Sequence, residues 1–146
     1  MAYSVSLDPA RIQIEVVHRF LSRCYWSEGI REEIVRKAVA NSLVVGAYDD
    51  ETGTQVGFVR VVSDRATFAW VCDVFVVEEH RGHGLCGRML DAIEAHPELQ
   101  ILRRWCLATR DAHRIYERRG YVPVPEGRWL ERRNPTTVWT ETPRLA

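Results

Sequence analysis

The stretch that most restricts the fold of this chain is "FAWVCDVFVVEEHRGHGLCGRMLDAIEAH", residues 68–96. Its first part is β-branched and aromatic, as a strand would be. Its last part repeats Leu85, Met89 and Ile93 every four residues, as a helix with one apolar face would. Between them stand Gly82, Gly84 and Gly87. A strand that runs through glycines into a helix must turn sharply, and the first helical amides then lack partners within the helix. Those amides and the positive end of the helix dipole suit an anion. Arg81, beside them, can add a charge-assisted contact.

The anion is not read by a nucleotide P-loop, because no G-K-[ST] follows the glycines. "GHGLCG" satisfies G-x-G-x-x-G literally, but the pattern lies after an antiparallel meander and does not open a βαβ unit. The competing reading is a tight strand-helix connection with no ligand at all.

The rest of the chain gives this turn a context. "LDPARIQIEVVHRFLSRCYW" predicts a helix, with Asp8 as its cap and Pro9 in its first turn. "SEGIREEIVRKAVANS" predicts a second, shorter helix. The period then changes to two: "SLVVGAYDD", "QVGFVRVVSD" and "TFAWVCDVFVV" predict three strands of an antiparallel meander. "LRRWCLAT" predicts a strand parallel to the one carrying Asp73, reached by a right-handed crossover. "DAHRIYERRG" predicts a short helix capped by Asp111 and stopped by Gly120. "YVPV" and "RWLERR" predict closing strands.

Length and composition narrow the class. The 146 residues suit one domain spanning 1–146, and a hydrophobic fraction of 46% can fill a core. Lys+Arg and Asp+Glu are both 20, so no net field draws in nucleic acid or an anionic membrane. No apolar run approaches the roughly 18 residues of a membrane span. Cys24, Cys72, Cys86 and Cys106 are widely spaced, with no C-x-x-C, and read as reduced thiols of a cytoplasmic protein. No metal site is expected.

With these elements in place, "DVFVVEEHRGHGLCGRML" resembles the acetyl-CoA-binding motif of the GNAT superfamily of N-acetyltransferases. That motif places R/Q-x-x-G-x-G/A after a bulged strand; Arg81 and Gly84 fill it, and Cys86 stands where the family has Gly or Ala. The family's usual proline before the loop is replaced by Glu78. "WCLATRDAHRIYERRGYVPV" is similar to the family's second cofactor motif, with Tyr116, Gly120 and Tyr121 in its positions and Asp111 in place of an asparagine. The resemblance implies an α/β (α+β) GNAT-like fold. Its mixed sheet would have about six to seven strands, with helices on both faces and splayed parallel central strands.

The resemblance also implies the site. Val74, Phe75 and Val76 would pair with a pantetheine arm, and the segment Arg81, Gly82, His83, Gly84, Leu85, Cys86 and Gly87 would receive the pyrophosphate of acetyl-CoA. Tyr116 would be the acid that protonates the leaving thiolate. Asp73 is the candidate base, since a carboxylate in an apolar strand must be hydrogen-bonded or open to a cleft; the alternative is a bond to a neighbouring loop or to Arg60. Glu78 and Glu79 are weaker candidates, being a charge pair at a strand end. Tyr25 and Trp26 would line the acceptor pocket. The expected acceptor is a primary amine of a small molecule, amino acid or peptide, attacking directly in a ternary complex. A non-catalytic module that senses acyl-CoA is the alternative function. No nucleic-acid or membrane partner is expected, and the chain would be a monomer or homodimer.

Overall fold

The computed structural model describes residues 2–142. One sheet runs in the order β1 (Tyr3–Ser6), β2 (Leu43–Asp49), β3 (Gln55–Ser63), β4 (Phe68–Val76) and β5 (Arg104–Leu107). The first four strands are antiparallel, and β5 lies parallel to β4, as the crossover argument requires. Helices α1 (Ile14–Leu21) and α2 (Glu32–Ala40) cover one face. Their Val17, Leu21, Val35 and Val39 pack on Val44, Phe58 and Phe75. Helices α3 (Leu85–Glu94) and α4 (His113–Glu117) lie on the other face. There Leu85, Met89, Ile93 and Tyr116 pack on Leu43, Val45, Val59, Val61 and Val71. Helix α5 (Thr137–Thr140) follows, and the Trp139 carbonyl accepts from the Arg31 amide at 3.0 Å.

The predicted first helix is shorter than its apolar pattern. Asp8 does cap, but it caps a 3-10 turn over Pro9–Arg11. The chain then extends to Gln13 before α1 begins. Two reciprocal bonds hold this break: the Gln13 amide donates to Gln55 Oε1 at 2.7 Å, and the Gln55 amide donates to Gln13 Oε1 at 3.0 Å. Tertiary bonds to a buried glutamine here override helix propensity. Asp111 is not the cap of α4; the Ala112 amide donates to Thr109 Oγ1 instead.

The described sheet has five strands, not six to seven. A strand that the sequence pattern missed, β1, pairs with β2 from Tyr3↔Asp49 to Ser6↔Gly46. The two predicted closing strands are absent among the described residues. "YVPV" and "RWLERR" lie in irregular chain, and β5 is left as the sheet edge. Pro123 and Pro125 remove two ladder donors from that segment, and the Arg128 amide turns back onto the Pro125 carbonyl.

The central irregularity is in β4. Phe58 pairs with Phe75 and Arg60 with Cys72, so Val59 faces two residues, Asp73 and Val74. Asp73 has φ +53°, a left-handed conformation that Asp tolerates better than most side chains. This bulge breaks simple alternation: Val71 and Phe75, four residues apart and so on one face of a regular strand, lie on opposite faces of the sheet.

Met89 sets the depth of α3 on the sheet. It is fully buried over Gly57, where a methyl group would meet its Cε at 2.9 Å. Met89→Ala should cost about 2–5 kcal/mol, read as a lowered urea midpoint with an unchanged m-value.

Candidate active site

β4 and β5 pair only from Phe68↔Arg104 to Val71↔Leu107. Beyond Val71, β4 runs on through the bulge without β5 beside it. The gap opens into a cleft of about 430 Å³. Val74, Phe75 and Val76 form its strand wall. Arg81, Gly82, Gly84, Leu85 and Cys86 form the turn at one end. Tyr116 and Ile115 of α4, with Ala112 just before it, form the opposite wall. Phe20, Cys24 and Trp26 close it from the α1 side.

Ten of the residues singled out in the sequence therefore meet in one cleft. Six do not line it. His83 packs at the loop's outer side, and its Nδ1 donates to the His80 carbonyl at 3.1 Å. Gly87 sits within the first turn of α3. Tyr25 is exposed under the guanidinium of Arg110, 3.7 Å from its ring centroid. Asp73 lies behind Trp26: its Oδ1 accepts from Trp26 Nε1 at 3.2 Å and its Oδ2 from Arg60 Nε at 2.7 Å. The Arg60 bond is the alternative partner that the sequence suggested. Glu78 and Glu79 are exposed in a 3-10 turn outside the cleft.

The turn has the features an anion site needs. Gly82 and Gly84 have φ of +84° and +72°, and an added Cβ at Gly82, Gly84 or Gly87 would meet nothing within 4 Å. The backbone is thus open where a ligand would approach. Gly84 is the N-cap of α3 and no side chain caps it, so the first amides of that helix are free for an acceptor. Arg81 is fixed by its Nε, which donates to the Val76 carbonyl at 2.9 Å, leaving its terminal nitrogens available.

The site's thiols are quiet. Burial pushes the Cys86 thiol up, against a smaller opposing effect of Arg119. Burial, helped by Asp73, pushes Cys24 up to about 11. Thiols that stay protonated at neutral pH are poor nucleophiles and poor metal ligands. Tyr116 is 9% exposed, and burial, then Cys86, pushes its phenol up to about 12. Its ring meets Tyr121 edge-on at 5.8 Å.

The sequence reading missed His80, Phe20, Cys24, Ala112 and Ile115 as cleft residues. Phe20 carried a signal, since it falls on the apolar face of α1; its ring stacks on Phe75 at 3.9 Å. His80 carried none.

The model for the acetyltransferase (GNAT) domain matches residues 40–123, which span β2 through α4. The chain belongs to the GNAT acetyltransferase family. A crystal structure of a provisionally assigned GNAT-family acetyltransferase from Xanthomonas campestris pv. campestris is 42% identical, with a TM-score of 0.87 over 96% of this chain and 98% of that one. A provisionally named acetyltransferase of Gibberella zeae is 30% identical, spanning 78% of this chain and 75% of that protein. Glucosamine-6-phosphate N-acetyltransferase from Arabidopsis thaliana shares the fold at 11% identity, with a TM-score of 0.62 over 90% of this chain and 100% of that one. GNAT acetyltransferases carry out acyl transfer, in general with acetyl-CoA as donor. The open glycine turn and the unpaired edge of β4 fit that donor.

Two substitutions separate backbone shape from side-chain chemistry in this turn. Gly84→Val forces a β-branched residue to φ +72° and fills the open face; coenzyme A affinity by calorimetry should fall at least about 100-fold. Cys86→Ala should leave that affinity within about threefold, because the thiol is protonated and only its size matters.

Proposed function

We propose that this chain is an acetyl-CoA-dependent N-acetyltransferase acting on a primary amine of a small molecule, amino acid or peptide. The observation that carries the reading is the convergence of three parts on one cleft: the strand edge at Val74 to Val76, the open glycine turn, and Tyr116. A module that only senses acyl-CoA has no need of a buried phenol facing the strand edge.

In this reading the donor lies along β4. The backbone groups of Val74 to Val76 that β3 and Arg81 leave unpaired bind the pantetheine arm as an added strand, and the amides of residues 82–87 hold the pyrophosphate. A backbone amide near Phe75 or Val76 polarises the thioester oxygen. The acceptor enters between Trp26 and Tyr116, with Tyr25 at the rim. A lysine-like amine, with a pKa of about 10.4, is neutral in roughly one molecule in two thousand at pH 7, so a proton must be removed. Asp73 takes it through water. Each of its oxygens already accepts one bond, and a carboxylate has lone pairs for more.

Tyr116 faces the leaving sulfur. A thiol has a pKa of about 8.5, so full transfer from a phenol at about 12 runs uphill by roughly 5 kcal/mol. Burial therefore makes Tyr116 a hydrogen-bond donor to the departing thiolate. The net proton comes from the nitrogen, which turns acidic as the C–N bond forms.

Mass spectrometry of a panel of amines incubated with enzyme and acetyl-CoA tests the reaction. The expected result is an acetylated amine and free coenzyme A; donor binding with no product from any acceptor would overturn the proposal in favour of the sensing module. Tyr116→Phe should lower kcat roughly 10²-fold with acetyl-CoA affinity unchanged. The phenol's raised pKa keeps its proton through the assay range, so loss of that proton predicts no alkaline fall in kcat below about pH 12. Asp73→Asn keeps an acceptor for Trp26 or Arg60 but cannot take a proton, and kcat should fall by about 10²-fold while the fold survives. A lowered Tm with unchanged kcat would instead confine Asp73 to holding the bulge.

A further inference from the structure

The N-terminal strand touches the glycine turn through one residue. Tyr3 begins β1, at the far side of the sheet from β4. Its ring meets His80 edge-on at 5.8 Å and His83 at 5.1 Å. Its hydroxyl is 2.9 Å from His80 Nδ1, and its carbonyl accepts from Arg88 Nη2 at 3.2 Å. One side chain and its carbonyl thus reach the residue before the turn, a residue within it and the helix after it. The turn's other bonds are local, as in Arg81 Nε to the Val76 carbonyl and His83 to the His80 carbonyl. Gly82 and Gly84 have no side chains with which to fix it.

His80 lines the cleft beside Arg81 and Gly82. His80 Nδ1 is the only hydrogen-bond partner of the Tyr3 hydroxyl among the described residues, and the phenol donates in that bond when Nδ1 carries no proton. Partial burial, with Asp49 and Glu51 nearby, favours the protonated phenol. A neutral imidazole that accepts at Nδ1 carries its own proton on Nε2.

From the Tyr3–His80 bond and the place of His80 in the cleft, we propose that Tyr3 is a positioning residue, which fixes the tautomer of His80 so that His80 Nε2–H donates to a pyrophosphate oxygen of the bound donor. The inference rests on the acetyl-CoA reading. It adds a side-chain donor to a site otherwise made of backbone amides and Arg81, and it makes the first strand part of the donor site.

The test uses the full chain with coenzyme A as the probe. Tyr3→Phe keeps the ring and removes the donor. Coenzyme A affinity should fall roughly tenfold by calorimetry, and KM for acetyl-CoA should rise equally with kcat within about twofold. His80→Gln keeps a side-chain N–H near the place of Nε2 without needing Tyr3. In that background, Tyr3→Phe should change affinity by less than about twofold. Nitrogen-15 spectra of the wild-type protein should show His80 protonated on Nε2, a readout that does not depend on any variant folding. A wild-type His80 protonated on Nδ1 would overturn the inference, as would an equal loss from Tyr3→Phe in both backgrounds, which would mean that Tyr3 only packs β1. Wild-type protein that fails to bind coenzyme A would overturn the acetyl-CoA reading and this inference together. Wild-type binding with no effect of Tyr3→Phe would overturn this inference alone.

Discussion

The site depends on one extra residue in β4. The bulge at Asp73 and Val74 does what a regular strand could not. It turns Phe75 to the α1 face while Val71 stays on the α3 face. It bends the strand just past its last pair with β5, so the ladder between two parallel strands ends in mid-sheet. An unpaired edge in the middle of a sheet is costly unless something else takes up its polar groups. Under the proposed function the pantetheine arm takes them up. A left-handed non-glycine residue costs about 1–3 kcal/mol. Here Arg60 and Trp26 each bond one oxygen of the Asp73 carboxylate, and Arg60 also reaches Ser42 Oγ at 3.2 Å. The strained residue's carboxylate is thus held at both oxygens.

The opposite wall is held differently. Helix α4 has five residues, far too few to be stable alone. It persists because Tyr116 is buried and because Arg119, just beyond it, bonds Glu94 and Asp91 on α3. Gly120, at φ +96°, then lets the chain reverse, and the Tyr121 amide returns to the Tyr116 carbonyl at 3.1 Å. The phenol's position is therefore set by a guanidinium fork one turn away. The burial that fixes Tyr116 also weakens it as an acid, so position and acidity are coupled through the same packing.

The parts of this fold that were legible in the sequence are those with local periodicity. The meander, α3 with Leu85, Met89 and Ile93, and the parallel crossover to β5 all follow from apolar spacing. The glycine turn was legible because glycine at a strand-helix junction has few other uses. The misses share a cause, which is that long-range contacts decided them. Tyr3–Ser6 is too short to show alternation and becomes a strand only because the edge of β2 is available. The early helix break at Gln13 depends on Gln55, 42 residues away. The bulge left no mark in "WVCDVFVV" beyond a charged residue in an apolar run, so even alternation put Val71 and Phe75 together. The closing strands failed where Pro123 and Pro125 were visible but outweighed by the apolar residues around them.

A division of labour follows from where the contacts come from. Under the proposed function the donor half of the cleft, from β4 through α3 to Tyr116, lies in one continuous part of the chain, residues 74–116, with Tyr3 of β1 as its distant contact. The acceptor half is assembled from distant pieces. Trp26 is placed by Asp73, 47 residues on. Tyr25 is placed by Arg110 from the loop before α4. The Arg31 amide, at the end of the loop between α1 and α2, is held by the Trp139 carbonyl of α5. A donor site encoded locally can stay constant while such contacts are exchanged around it. Under the proposed function, acceptor choice is a property of the loop between α1 and α2 and of the segments that brace it.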